Sequence, residues 1–287
     1  MIRACFTNDY YVPTRSGSLT KLVEVAHQGL LQELVTLIDP GILDLDLLYQ
    51  LHTPDYVNAF LSGEGALATS QNFPWSPELR RAVLAMLAGQ LTAVDIACQD
   101  GIAGHIANGF HHAHPDHGRG FCTFNGLALI AQAYSKRRVF VLDCDDHCGD
   151  GTEAFAAQLP NLFYFSIFFT RFGCRGGDRV VLRQMGPGVA SETEYFAALA
   201  EAFRYILWWQ PAVIIYQAGM DCHRDDPIGY GTLTTPTLYE RDQQVFDFCR
   251  RAGIPVLFTL AGGYQAIERT VELHVNTLRA ADETFAR

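Results

Sequence analysis

Residues 2–6, 138–143, 162–167, 212–217 and 255–260 form short, almost continuously apolar runs rich in Val, Ile, Phe or Tyr. Such runs fit strands of a parallel sheet buried on both faces. Longer stretches with helical spacing separate them, at about 20–37, 126–135, 193–208, 237–251 and 265–282. One further helix announces its own start. Ser76 is a good N-cap, Pro77 suits the first helical position, and apolar residues recur from Leu79 to Val94 before Gly101 stops the helix. Alternating strands and helices predict a single α/β domain over 1–287, with a mostly parallel central sheet flanked by helices on both faces. In such sheets ligands bind beyond the carboxyl ends of the strands, so chemistry is sought in the loops that follow them.

Three polar segments there stand out, with a histidine-rich loop as a fourth. The run at 139–143 leads into Asp143, Asp145 and His147, spaced by two. If the chain stays extended, all three project to one side. Two carboxylates and an imidazole suit a divalent metal. As a plain polar turn they would be buried at high cost without partners. Asp221 follows the run at 212–217 and can complete a three-ligand site with an open position, the mark of a catalytic metal. Asp225 and Asp226 read as solvated. The loop before residue 126 holds His111, His112, His114 and His117. A histidine near neutrality can take and return a proton. His114 and His117 read as rim or surface residues. Gly262-Gly263-Tyr264 ends the last run, and a phenol there can donate to a developing oxyanion.

Composition narrows the partners. Lys and Arg total 21 against 31 Asp and Glu, for a net charge of −10. That charge repels nucleic acid and anionic membranes, and favours cationic substrates or basic protein tails. No unbroken apolar run reaches membrane-spanning length, and the first residues lack a secretory pattern. The eight cysteines contain no C-x-x-C pair, which predicts reduced thiols and a cytoplasmic protein without disulfides.

Tandem histidines, then D-x-D-x-H, then G-x-D, then G-G-Y, in that order, resemble the arginase/deacetylase superfamily and within it the histone deacetylase family. GFHH, GRGFCTFN, DHCGDGT and FPWSPE strengthen the likeness, which looks closest to class IV and its bacterial relatives. The resemblance implies roles. Asp145, His147 and Asp221 would bind zinc, with Fe(II) able to use the same donors. His112 would be the general base, His111 an electrostatic aid, and Asp143 and Asp150 the carboxylates that orient them. Tyr264 would polarise the substrate carbonyl, and Gly120 and Phe121 would line an acyl-lysine channel. A structural potassium ion would take oxygen ligands from Asp143, Asp145, His147, Ser166 and Ile167. The implied activity is removal of acetyl or longer acyl groups from lysine. The rivals are an acetylpolyamine amidohydrolase, a two-metal ureohydrolase that would use His223, and a binding protein without turnover.

Overall fold

The computed structural model describes residues 1–13, 19–186 and 192–285. Among these, one sheet is built from β1 (Ile2–Cys5), β2 (Val35–Ile38), β3 (Ile102–Asn108), β4 (Val139–Asp143), β5 (Leu162–Phe168), β6 (Val180–Gln184), β7 (Val213–Ala218) and β8 (Val256–Leu260). Its order is β2-β1-β3-β8-β7-β4-β5-β6, and every neighbouring pair is parallel. Every residue of β3, β4, β5, β7 and β8 is buried, so both faces of the central sheet are covered. The covering helices are α1 (Lys21–Leu31), α2 (Leu45–Leu51), α3 (Pro54–Ser62), α4 (Pro77–Asp100), α5 (Gly126–Ala133), α6 (Asp150–Gln158), α7 (Glu192–Trp209), α8 (Thr235–Ala252) and α9 (Ile267–Phe285).

The predicted strands and the Ser76 start signal appear where expected. Ser76 Oγ accepts the Leu79 N–H at 3.1 Å, and Gly101 ends α4 with φ of 88°. Over 18 residues α4 has a mean hydropathy of 1.5, apolar and long enough to cross a membrane, yet 61% of that window is buried inside the protein. Its apolarity belongs to the core.

Three strands escape the apolar pattern. Gly104, His105 and Asn108 interrupt β3, while β2 and β6 are short, partly exposed edges. The helix predicted over 20–37 is therefore too long. α1 stops at Leu31, Glu33 turns the chain at φ 54°, and residues 35–38 pair with β1.

The thiol expectation is also corrected. Cys148 and Cys174 form a disulfide, while Cys5, Cys98, Cys122, Cys144, Cys222 and Cys249 are free. No spacing rule announces a pair 26 residues apart. The fold makes it: the Cys148 N–H donates to Thr170 O at 2.8 Å, and a turn at Arg171 brings Cys174 back alongside.

Candidate active site

The four chemistry-bearing loops follow β3, β8, β7 and β4, which are consecutive across the sheet. Topology thus gathers at one edge residues that lie far apart in sequence.

β4 ends at Asp143 and the chain bends at residues 145–146, so the predicted alternation does not persist. Asp145 and His147 still converge with Asp221. His147 Nδ1 lies 3.1 Å from Asp221 Oδ2 and 3.4 Å from Asp145 Oδ1, and one donor atom from each residue falls within 4.8 Å of the others. Backbone amides hold the carboxylates in place. Gly262 N–H donates to Asp145 Oδ2 at 2.8 Å, and Asp146 N–H to Asp221 Oδ1 at 2.9 Å. Gly262 allows this approach because a Cβ there would lie 2.0 Å from Asp221 Oδ2. Burial, and then the facing Asp145 charge, push Asp221 up to about 8. Two buried carboxylates that resist joint ionisation, with an imidazole between them, fit a divalent cation.

Asp143 does not join that cluster. Its Oδ2 receives His111 Nδ1–H at 2.8 Å and the Tyr164 hydroxyl at 2.9 Å. Burial opposes charge on His111, but Asp143 and Asp145 outweigh it and raise the imidazole to about 9. His112 lies beside it, with ring centroids 4.0 Å apart, and bonds through Nδ1 to Asp150 Oδ1 at 2.7 Å. Burial, and then the charge on His111, lower His112 to about 3. The adjacent histidines therefore hold opposite protonation states at neutral pH. Asp150 Oδ2 also pairs with His114 Nε2 at 2.9 Å and with Arg119. His114 is thus part of the His112 support rather than a surface residue, whereas the half-exposed His117 stacks on it at 4.7 Å.

A narrow cavity of about 30 Å³ is lined by His111, His112, Gly120, Phe121, Asp145 and Tyr264, among others. Gly263, at φ 143°, turns the chain so that Tyr264 can face it. Burial, and then the Asp221 and Asp145 charges, hold the Tyr264 phenol well above its usual value, so it stays a hydrogen-bond donor. A deep reading of Asp226 replaces the solvated one. Asp226 is buried, accepts the Tyr264 N–H at 2.8 Å through Oδ2, and accepts Ile228 and Gly229 N–H at 3.0 Å through Oδ1. Asp225 is exposed, as read.

The profile of the histone deacetylase domain matches residues 10–278, nearly the whole of this arrangement. The chain belongs to the histone deacetylase family. An uncharacterized protein of Picosynechococcus sp. is 30% identical over 87% of this chain and 89% of its own length. Histone deacetylase 2 of Arabidopsis thaliana is 28% identical over 77% of this chain and 61% of its own. The acetoin utilization protein AcuC of Staphylococcus aureus is 26% identical over 71% and 60%. The crystal structure of acetylpolyamine aminohydrolase from Burkholderia pseudomallei superposes with a TM-score of 0.83 over 98% of both chains at 19% identity, which establishes the shared fold.

In this histone deacetylase family member, two residues at the site carry no motif signal. Phe172 packs against His112 with ring centroids 4.0 Å apart and planes tilted by 32°, lies edge-on to His147 at 5.7 Å, and has the Arg119 guanidinium over its ring at 4.4 Å. Phe110, Phe121 and Phe172 all adopt positive φ, at 63°, 65° and 50°, a costly backbone state for bulky side chains that here borders the site. Lys21 is buried and donates to Ala261 O at 2.6 Å, bracing the Gly-Gly-Tyr turn from α1. A regular pattern in the surrounding sequence would have been needed to find either, and none exists.

Proposed function

We propose that the chain is a zinc-dependent hydrolase that removes acetyl groups from primary amines, with acetyl-lysine in peptides or proteins as its main substrate. One observation carries this reading: Asp145, neutral His112 and donor Tyr264 line one cavity, with His147 and Asp221 clustered on Asp145. Asp145, His147 and Asp221 would hold the metal, and Fe(II) could use the same donors. When bound, zinc acidifies a water and polarises an amide carbonyl.

The chain's own residues supply the rest. His112 is neutral and fixed by Asp150, so it can accept the proton of the attacking water. Asp150 then stabilises the imidazolium until it passes that proton to the leaving amine. Charged His111 adds positive potential beside the reacting carbon. The Tyr264 hydroxyl donates to the carbonyl oxygen as it gains negative charge. The products are a carboxylate and a free amine.

The same reading places a potassium ion beside Asp143, Asp145, His147, Ser166 and Ile167. Ser166 pairs with Asp143 across β4 and β5, and its buried Oγ makes no hydrogen bond. A cation ligand would explain that oxygen.

Two features limit the alternatives. His223, the extra ligand a two-metal site would use, contacts Thr235 Oγ1 at 3.1 Å through Nε2 and accepts the Asp225 N–H at 3.1 Å through Nδ1. The cavity of about 30 Å³ favours acetyl over long acyl chains. An acetylated polyamine is the second reading, favoured by the likeness to the acetylpolyamine aminohydrolase and by the net charge of −10. Zinc-loaded protein should be assayed on lysine peptides bearing acetyl to myristoyl groups and on acetylated polyamines. Turnover of acetyl-lysine peptides is expected. Exclusive turnover of polyamines would move the substrate, and no turnover of any acylated amine would sink the reading.

A further inference from the structure

The metal-type cluster straddles a seam. Asp145 and His147 follow β4, and Asp221 follows β7. These strands pair in register from Val139 with Val213 to Asp143 with Gln217. One more bond, Cys144 N–H to Gln217 O at 3.0 Å, extends the ladder. Beyond it the two chains run on toward the ligands without pairing as strands.

Arg241, from α8, occupies this position. Its side chain is 0% exposed. A single guanidinium nitrogen, NH1, donates to Gly219 O at 2.7 Å and to Cys144 O at 3.3 Å. Cys144 immediately precedes Asp145, and Gly219 lies two residues before Asp221. The other side of the guanidinium is fixed by Asp242, with Nε and NH2 each 2.9 Å from Oδ1. Asp242 is itself fixed by the Tyr216 hydroxyl of β7 at 2.5 Å and by Thr277 of α9 at 2.6 Å. The backbones that Arg241 joins are already in close contact: a Cβ on Gly219 would lie 2.5 Å from Asp145 Cα.

A buried ion pair is a poor way to gain stability, because desolvation offsets its attraction. A guanidinium whose orientation is fixed by a neighbouring carboxylate can hold two carbonyls on its free nitrogen at a set distance. We propose that Arg241 is a positioning residue that clamps the ends of β4 and β7, so that Asp145 and Asp221 keep the separation a single divalent cation requires. It touches neither substrate nor metal. The proposal rests on the metal-site reading above.

The test uses the full chain with Arg241→Met combined with Asp242→Asn, which leaves no charge stranded, and with Arg241→Lys alone. Zinc affinity is measured by competition with a chelator, on metal-free protein first shown to be folded by circular dichroism. Hydrogen exchange at the Asp146 amide, which bridges the seam to Asp221, is followed in the metal-free state. The double variant should lose about 10–100-fold in zinc affinity. The Asp146 amide should exchange faster while the β5 amides keep their protection. In the loaded enzyme kcat should fall with KM unchanged, and Arg241→Lys should recover part of the affinity. A folded double variant with wild-type zinc affinity and wild-type Asp146 protection overturns the clamp. Should the double variant not fold, Arg241→Gln decides, because its shorter side chain cannot hold both carbonyls, and unchanged affinity there overturns the clamp equally. Wild-type protein that binds no zinc overturns the metal-site reading, and the clamp with it.

Discussion

Buried histidines at the carboxyl edge of the sheet and in the packed interior behave in opposite ways. At the edge, burial opposes charge, but Asp143 and Asp145 raise His111 to about 9, and Asp145 and Asp221 raise His147 to about 11. In the interior, burial lowers His52 to about 4 and His105 to about 3, and it also lowers His274. All five are at least largely buried, so burial alone does not decide the outcome. Facing carboxylates do. His112 sharpens the point. It sits at the edge and faces Asp150, but burial, and then the charge on adjacent His111, hold it neutral like the interior set. The edge concentrates unlike protonation states in a small volume, which is how one site can hold both a proton donor and a proton acceptor.

The strongest way to break this contrast is to remove an edge carboxylate. Asp221→Asn should abolish zinc binding and bring deacetylation down to background. In metal-free protein the same change should raise stability to denaturant, because it removes one of two facing buried carboxylates. Equal or lower stability of the metal-free variant, measured by urea titration, would show that the pair carries no strain. Next in size, Tyr264→Phe should lower kcat by about 10²–10³-fold with zinc content unchanged, since it deletes one oxyanion donor. Metal analysis alongside steady-state kinetics checks this, and a full-rate variant would remove Tyr264 from the mechanism.

The smallest effect belongs to the interior. His52, His105 and His274 stay neutral in the folded protein, while in the unfolded chain they take protons near pH 6.5. Their contribution is complete above that pH and is lost as pH falls from about 6.5 toward 4. Neither ring nitrogen of fully buried His274 has a hydrogen-bond partner. His274→Leu should therefore stabilise the protein, and by more at pH 5 than at pH 7.5. Urea midpoints at the two pH values test the sign: a gain independent of pH would mean that His274 titrates alike in the folded and unfolded states, and a smaller gain at pH 5 that it is charged in the fold.

Much of the fold could be read locally. A strand buried on both faces must be apolar throughout, so β1, β4, β5, β7 and β8 announce themselves within about a residue at each end. β3 does not, because Gly104, His105 and Asn108 break its run. Its burial is supplied by partners such as Thr259, 3.2 Å from His105 Nδ1. β2 was hidden inside an apparent helix because edge pairing with β1, rather than local spacing, decides its state. At the site, Asp145, His147, Asp221, the tandem histidines and Tyr264 were legible because strand ends and residue types mark them. Asp226, Phe172, Lys21 and Arg241 were not, since each acts on backbone or rings remote in sequence. The Cys148–Cys174 pair is of the same kind.

Thus the sequence by itself determined the alternation of strands and helices, the loops that carry chemistry and the donor types available for a metal. These depend on periodicity and on neighbours a few residues away. Tertiary structure decided that Asp143 serves His111 while Asp145 faces His147, that His111 is charged and His112 neutral, and that Arg241 spans the seam beside Asp145 and Asp221. The reason is physical. Electrostatic energies and hydrogen-bond geometry depend on distances of a few ångströms between groups whose neighbours are set by strand order, and strand order is not a local property of the chain.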